Sequence, residues 1–96
     1  MSYYFMANIR IKDDLEYQKY IDKADEIFTK FKGSYLAVDN IPEVVEGNWD
    51  YSRAVLIRFD SKDDFKAWYR SDEYQEILKF RLSASESDTI LIRSKL

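Results

Sequence analysis

Tyr3 to Ile11 reads YYFMANIRI, and the fold turns on how this stretch alternates. One set of alternate residues is apolar throughout (Phe5, Ala7, Ile9, Ile11), while the other is mixed (Tyr4, Met6, Asn8, Arg10), which is the period of a β-strand. Tyr4 and Met6 are poor choices for open solvent, so cover is expected on both faces of this strand.

Immediately downstream the period changes. Asp13 or Asp14 supplies an N-cap, after which Tyr17, Tyr20, Ile21, Ala24, Phe28 and Phe31 recur at three- and four-residue spacing as one apolar helical stripe. Gly33 is expected to end that helix at its C′ position. Ser34 to Val38 reads as a short second strand, and Arg53 to Phe59 (RAVLIRF) as the strongest strand in the chain. Between them, Asp39 to Ser52 forms a long loop in which Glu43 to Gly47 could make a short edge strand behind Pro42. Ser61 and Asp64 have capping-box spacing and open a helix whose inner face is Phe65, Trp68 and Tyr69. Ser71 caps a further apolar set at Tyr74, Ile77, Leu78 and Leu82, so the helix is predicted to bend or break near Arg70. Asp88 to Arg93 alternates as a closing strand.

The order βαββαβ, within one domain spanning residues 1–96, is the ferredoxin-like arrangement of the α+β class. It places two helices on one face of a four-stranded antiparallel sheet. Tyr4, Met6, Ala54, Leu56 and Leu91 are expected on the opposite face, which is too apolar to stay wet. A second copy of the chain packing sheet to sheet would cover it, so a homodimer is predicted.

Composition excludes several classes of chemistry. Fifteen Lys and Arg against eighteen Asp and Glu leave a formal charge of -3 with neither sign gathered into a block, unlike a nucleic-acid binder. The chain has no Cys and no His, which removes disulfides, thiolate nucleophiles, zinc–thiolate centres, histidine haem ligation and the Ser-His-Asp triad. No metal site or cofactor is expected. Met1 to Arg10 lacks a signal-peptide pattern and no run has the length of a membrane span, which predicts a soluble, cytoplasmic protein.

The sequence resembles the DUF1330 family, small proteins of the dimeric α+β barrel superfamily with no activity assigned to the family as a whole. The residues that carry the resemblance run along nearly the whole chain. They are Tyr4, Phe5 and Ala7; Glu16, Tyr17 and Tyr20; Pro42-Glu43-Val44, Glu46-Gly47 and Trp49; Arg53 and Phe59-Asp60-Ser61; and Trp68-Tyr69, Ser71, Glu73-Tyr74-Gln75 and Arg81. Many members carry His-Gly before the second strand and Arg-Gly after it, where this chain has Phe31-Lys32 and Val38-Asp39.

Six residues are candidates for holding a ligand: Asn8, Glu46, Arg53, Trp68, Tyr74 and Arg81. None is assigned a catalytic role. Arg81 falls on the stripe that faces the sheet, where a guanidinium needs either a carboxylate such as Glu43 or Glu46, or an anionic ligand. Arg53 either pins the long loop through Glu46 or Asp50, or joins Arg81 in recognising a substrate carboxylate. Asn8 is polar on a central strand and must find hydrogen bonds, across a dimer barrel or in a site. Asn8 with the Trp68, Ser71, Tyr74 spacing is similar to cofactor-poor monooxygenases of the same superfamily. The favoured function is binding or transforming a small aromatic or carboxylate-bearing molecule between helices and sheet. The alternatives are a non-catalytic dimeric structural or regulatory module and a cofactor-independent monooxygenase-like enzyme. A cavity of about 300 Å³ or more beside Arg81 favours the first.

Overall fold

A computed structural model describes residues 1–95. The elements are β1 (Tyr3–Ile11), α1 (Asp14–Phe28), a 3-10 turn (Thr29–Phe31), β2 (Gly33–Asp39), β3 (Arg53–Phe59), α2 (Lys62–Tyr69), α3 (Asp72–Ala84) and β4 (Ser85–Arg93). The sheet is antiparallel in the order β2-β3-β1-β4, so β1 and β3 are central. It is the ferredoxin-like fold, with the second helix broken in two.

Each helix starts where a side chain can satisfy an orphaned N–H. Asp13 Oδ1 accepts from the Glu16 amide at 3.1 Å, Ser61 Oγ from Asp64 at 3.1 Å and Ser71 Oγ from Tyr74 at 3.1 Å. Ser71 also donates to the Trp68 carbonyl at 2.8 Å, closing α2 as it opens α3. The Ala84 carbonyl ends α3 by accepting from the Lys12 and Asp13 amides at 2.8 and 3.1 Å, which ties that helix to the turn after β1.

Alternation on β1 sorts the molecule. Phe5, Ala7 and Ile9 are buried beneath the helices, opposite Ile57, Val55 and Arg53 of β3. Around them a core closes from Tyr17, Ala24, Ile27, Phe28, Phe59, Trp68, Tyr74, Ile77, Leu78 and Ala84. Tyr4, Met6, Ala54, Leu56, Ile90 and Ile92 share the other face, where Ile90 and Ile92 are exposed. The Cα atoms fill a slab of 32 × 31 × 16 Å, with helices on one side of the sheet only.

Four expectations change in detail. Leu91 lies opposite Phe5 and packs on the helix side, because β4 begins at Ser85 and its register puts Ile90 and Ile92 on the bare face. Leu82 is 61% exposed, since Tyr74, Ile77, Leu78, Arg81 and Ala84 complete the inner stripe of α3 without it. Glu43 to Gly47 forms no strand, for the sheet ends at β2 and this stretch joins no ladder. The left-handed residue after α1 is Lys32, with φ 61°, whereas Gly33 opens β2.

Gly33 is needed for a different reason: a Cβ there would lie 2.2 Å from Phe28 Cζ and 2.9 Å from Phe59 Cε1. Gly33→Ala is expected to destabilise by about 1–3 kcal/mol through overpacking. Lys32→Gly, which relieves the left-handed strain, should stabilise by roughly 0.5 kcal/mol after the entropy cost of the glycine. Urea unfolding of both variants checks the opposite signs.

Candidate ligand-binding site

A cavity of about 400 Å³ lies between α1 and the sheet. Phe5 and Ala7 of β1 with Val55 and Ile57 of β3 line its floor, α1 contributes Tyr17, Tyr20, Ile21, Ala24 and Asp25, and Tyr35 and Val38 line it from β2. Arg53 and Arg81 complete the lining. The space is left by small side chains: Ala7 and Ala24 come from the sheet and from α1, and neither fills it. Asp25, Tyr35 and Val38 are exposed and mark its mouth.

Both arginines arrive there by their periodicity. Arg53 opens β3 on the same side as Ile9, and Arg81 occupies the α3 stripe position between Ile77 and Ala84. Arg81 is 3% exposed, and its Nη1 donates to Ser87 Oγ at 2.6 Å. Arg53 Nη1 donates to Asn40 Oδ1 at 2.9 Å. The Nε of each is buried with no partner, as is the Tyr17 hydroxyl. Arg53 lies 5.7 Å from the Tyr17 ring centre and Arg81 lies 5.8 Å from that of Tyr20. Among the described residues, neither arginine has an ion pair. Glu46 holds neither one, and Asp50 bonds Arg10 at 2.9 Å instead.

The tyrosines do not supply the missing negative charge. Burial pushes the Tyr17 hydroxyl up, and Arg53 and Arg81 draw it only part of the way back. Burial and then Tyr74 hold Tyr20 well above the ordinary range, while burial raises Tyr74 against the pull of Arg81. All three are therefore neutral donors at physiological pH. The Tyr20 and Tyr74 hydroxyls are spent on each other at 2.8 Å, which leaves Tyr17 free to donate.

The six candidates from the sequence divide between the two faces of the sheet. Arg53 and Arg81 converge on the cavity. Tyr74 supports it through Tyr20, and Trp68 packs behind Tyr74 with ring centres 4.1 Å apart; neither lines it. Asn8 is on the bare face opposite Ala54 and Asp88, so it does not meet Trp68, Ser71 or Tyr74. Glu46 is exposed in the loop beside a recess formed with Pro42, Val44, Trp49 and Ala54. Tyr17, Tyr20, Asp25 and Tyr35 were not among those candidates. Tyr17 and Tyr20 lie on the α1 stripe that faces the sheet, but that stripe does not separate cavity residues from core, and Asp25 lies at its exposed edge.

Solved structures share the architecture. A Rhodopseudomonas palustris protein of unknown function is similar at a TM-score of 0.83 and 16% identity, over 97% of this chain and 82% of that one. SnoaB, a cofactor-independent oxygenase from Streptomyces nogalater, has a TM-score of 0.73 and 12% identity over 99% of this chain and 94% of its own. A dimeric ferredoxin-like protein of unknown function from Thermobifida fusca has a TM-score of 0.73 and 17% identity, covering 98% and 92%. At these identities the likeness is one of fold. No curated protein matches. The model of the domain of unknown function DUF1330 matches residues 2–94, and the chain belongs to that family.

Proposed function

We propose that the protein binds a small molecule with a carboxylate on a flat, apolar body, and that the carboxylate is held between Arg53 and Arg81. The observation that carries this reading is a buried guanidinium, Arg81, and a half-buried one, Arg53, that line the same largely apolar cavity, each with a buried Nε that has no partner. Unpaired charge in such a place is costly, and a planar carboxylate matches guanidinium geometry while Tyr17 supplies a further donor. The cavity volume of about 400 Å³ suits a ligand built on one or two rings, with Phe5, Val55 and Ile57 as apolar walls.

The bare sheet face supports a homodimer packed sheet to sheet. Tyr4, Met6, Leu56, Ile90 and Ile92 form a contiguous apolar surface there, and a similar fold from Thermobifida fusca is described as dimeric. Asn8 then finds its hydrogen bonds at the interface.

Two measurements test these statements. In thermal melts with aromatic carboxylates, wild type should be stabilised by ligand. Arg81→Met should melt at the same or a higher temperature, since it removes an unpaired buried charge, and should lose the ligand shift. A large loss of stability in Arg81→Met, together with no ligand shift in wild type, would overturn the binding reading. For assembly, light scattering at micromolar concentration should give twice the 11.5 kDa chain mass, and Leu56→Glu, which puts a charge on the apolar sheet face, should give the single-chain mass. A wild-type monomer would exclude the dimer.

A further inference from the structure

The cavity has opposite electrical character at its two ends. Arg53 pairs across the sheet with Ile9, and Ile9 pairs in turn with Ser87, the residue that holds Arg81. Both guanidiniums are thereby at one end of the cavity, with Tyr17. At the other end Tyr35 pairs with Ile57, and burial followed by the Asp25 carboxylate pushes the Tyr35 hydroxyl up. Asp25 has no ion pair among the described residues.

Two independent rulers give the separation. Along α1, Tyr17 and Asp25 are about two turns apart, or roughly 12 Å of axial rise. Along β3, Arg53 and Ile57 are separated by about 13 Å of extended chain. Between the ends the walls are apolar, with Ile21, Ala24 and Val55 along the run. These spacings, about 12–13 Å, set the upper bound on the separation of the ligand's charged groups.

We propose that the ligand is a zwitterion: a carboxylate at the Arg53 and Arg81 end, a flat apolar body, and a primary ammonium meeting Asp25 at the mouth. A ligand with a carboxylate alone forgoes an ion pair with the exposed Asp25, and a dianion is repelled by it. The inference rests on the carboxylate-binding reading and narrows it to arylalkanoates that carry an aminoalkyl group.

Calorimetric titration of the whole chain with two probes separates the two claims. The probes are 3-phenylpropanoate and 3-[4-(aminomethyl)phenyl]propanoate, which adds only the ammonium. Wild type should bind the ammonium probe about fivefold more tightly at low salt, the upper range for a partly exposed ion pair, with the preference shrinking as salt is raised. Asp25→Asn should bind both probes equally, at the wild-type affinity for 3-phenylpropanoate. Asp25→Lys should reverse the preference, binding 3-phenylpropanoate more tightly than the ammonium probe. Asp25 is exposed, so folding of its variants is not at stake. Equal wild-type affinity for the two propanoates, or a preference that survives Asp25→Asn, would overturn the zwitterion while leaving carboxylate binding intact. Binding of neither probe would overturn both.

Discussion

Trp68 sits at the centre of an aromatic block on which the rest of the molecule leans. Its ring is 5.5 Å from Phe5 and Phe59, 5.8 Å from Phe28 and 4.1 Å from Tyr74. Those contacts join β1, β3, α1, α2 and α3 in one place. Edge-to-face and tilted pairs of this kind add to the burial of large apolar surface, so one end of the helix layer is fixed firmly against the sheet. Packing of this density does not continue to the other end. There the facing residues are Ala7 and Ala24, and the space they leave is the cavity. The break at Ser71 serves the same division, since α2 can angle Phe65 and Trp68 into the block while α3 runs on to carry Arg81 away from it.

A buried guanidinium without an ion pair, as at Arg81, works against folding, and the surroundings of Arg81 and its half-buried neighbour Arg53 show how the chain tolerates them. Ser87 and Asn40 each take one N–H, and the tyrosine faces near both cations offer weak electrostatic attraction. Neither compensation matches a carboxylate. Preorganised but unsatisfied donors of this sort are how a protein holds a site ready for an anion, with binding energy recovered when the ligand arrives.

Much of the fold was legible because period and capping chemistry are local. Asp13 or Asp14, Ser61 and Ser71 marked three helix starts, alternation marked β1 and the latter part of β4, and apolar, β-branched runs marked β2 and β3. What local pattern could not deliver was parity and partner. Leu91 looked interchangeable with Ile90 until the pairing of β4 with β1 fixed which of them faces the helices, and register is a property of two strands together. Gly33 read as a cap because helices commonly end in glycine, while its actual constraint is the Phe28 ring brought against it by tertiary packing. The site divided in the same way. Arg81 betrayed itself as a charge on an apolar stripe, and Arg53 by its strand. Tyr17, Tyr20 and Tyr35 were indistinguishable from core aromatics, and Asp25 from any solvated helix residue, because nothing in the sequence records which stretch of core is left unfilled.

The bare face and the cavity face are written into the same strands on alternate residues, so Ala54 and Val55, or Met6 and Ala7, belong to different surfaces though they are neighbours in the chain. Descendants of this sequence are free to exchange side chains on either face independently. Insertion or deletion of a single residue within β1 or β3 would instead turn both surfaces inside out at once. Changes of length must therefore accumulate outside the central strands, and the 40–52 segment, which forms no ladder, is where the architecture can absorb them.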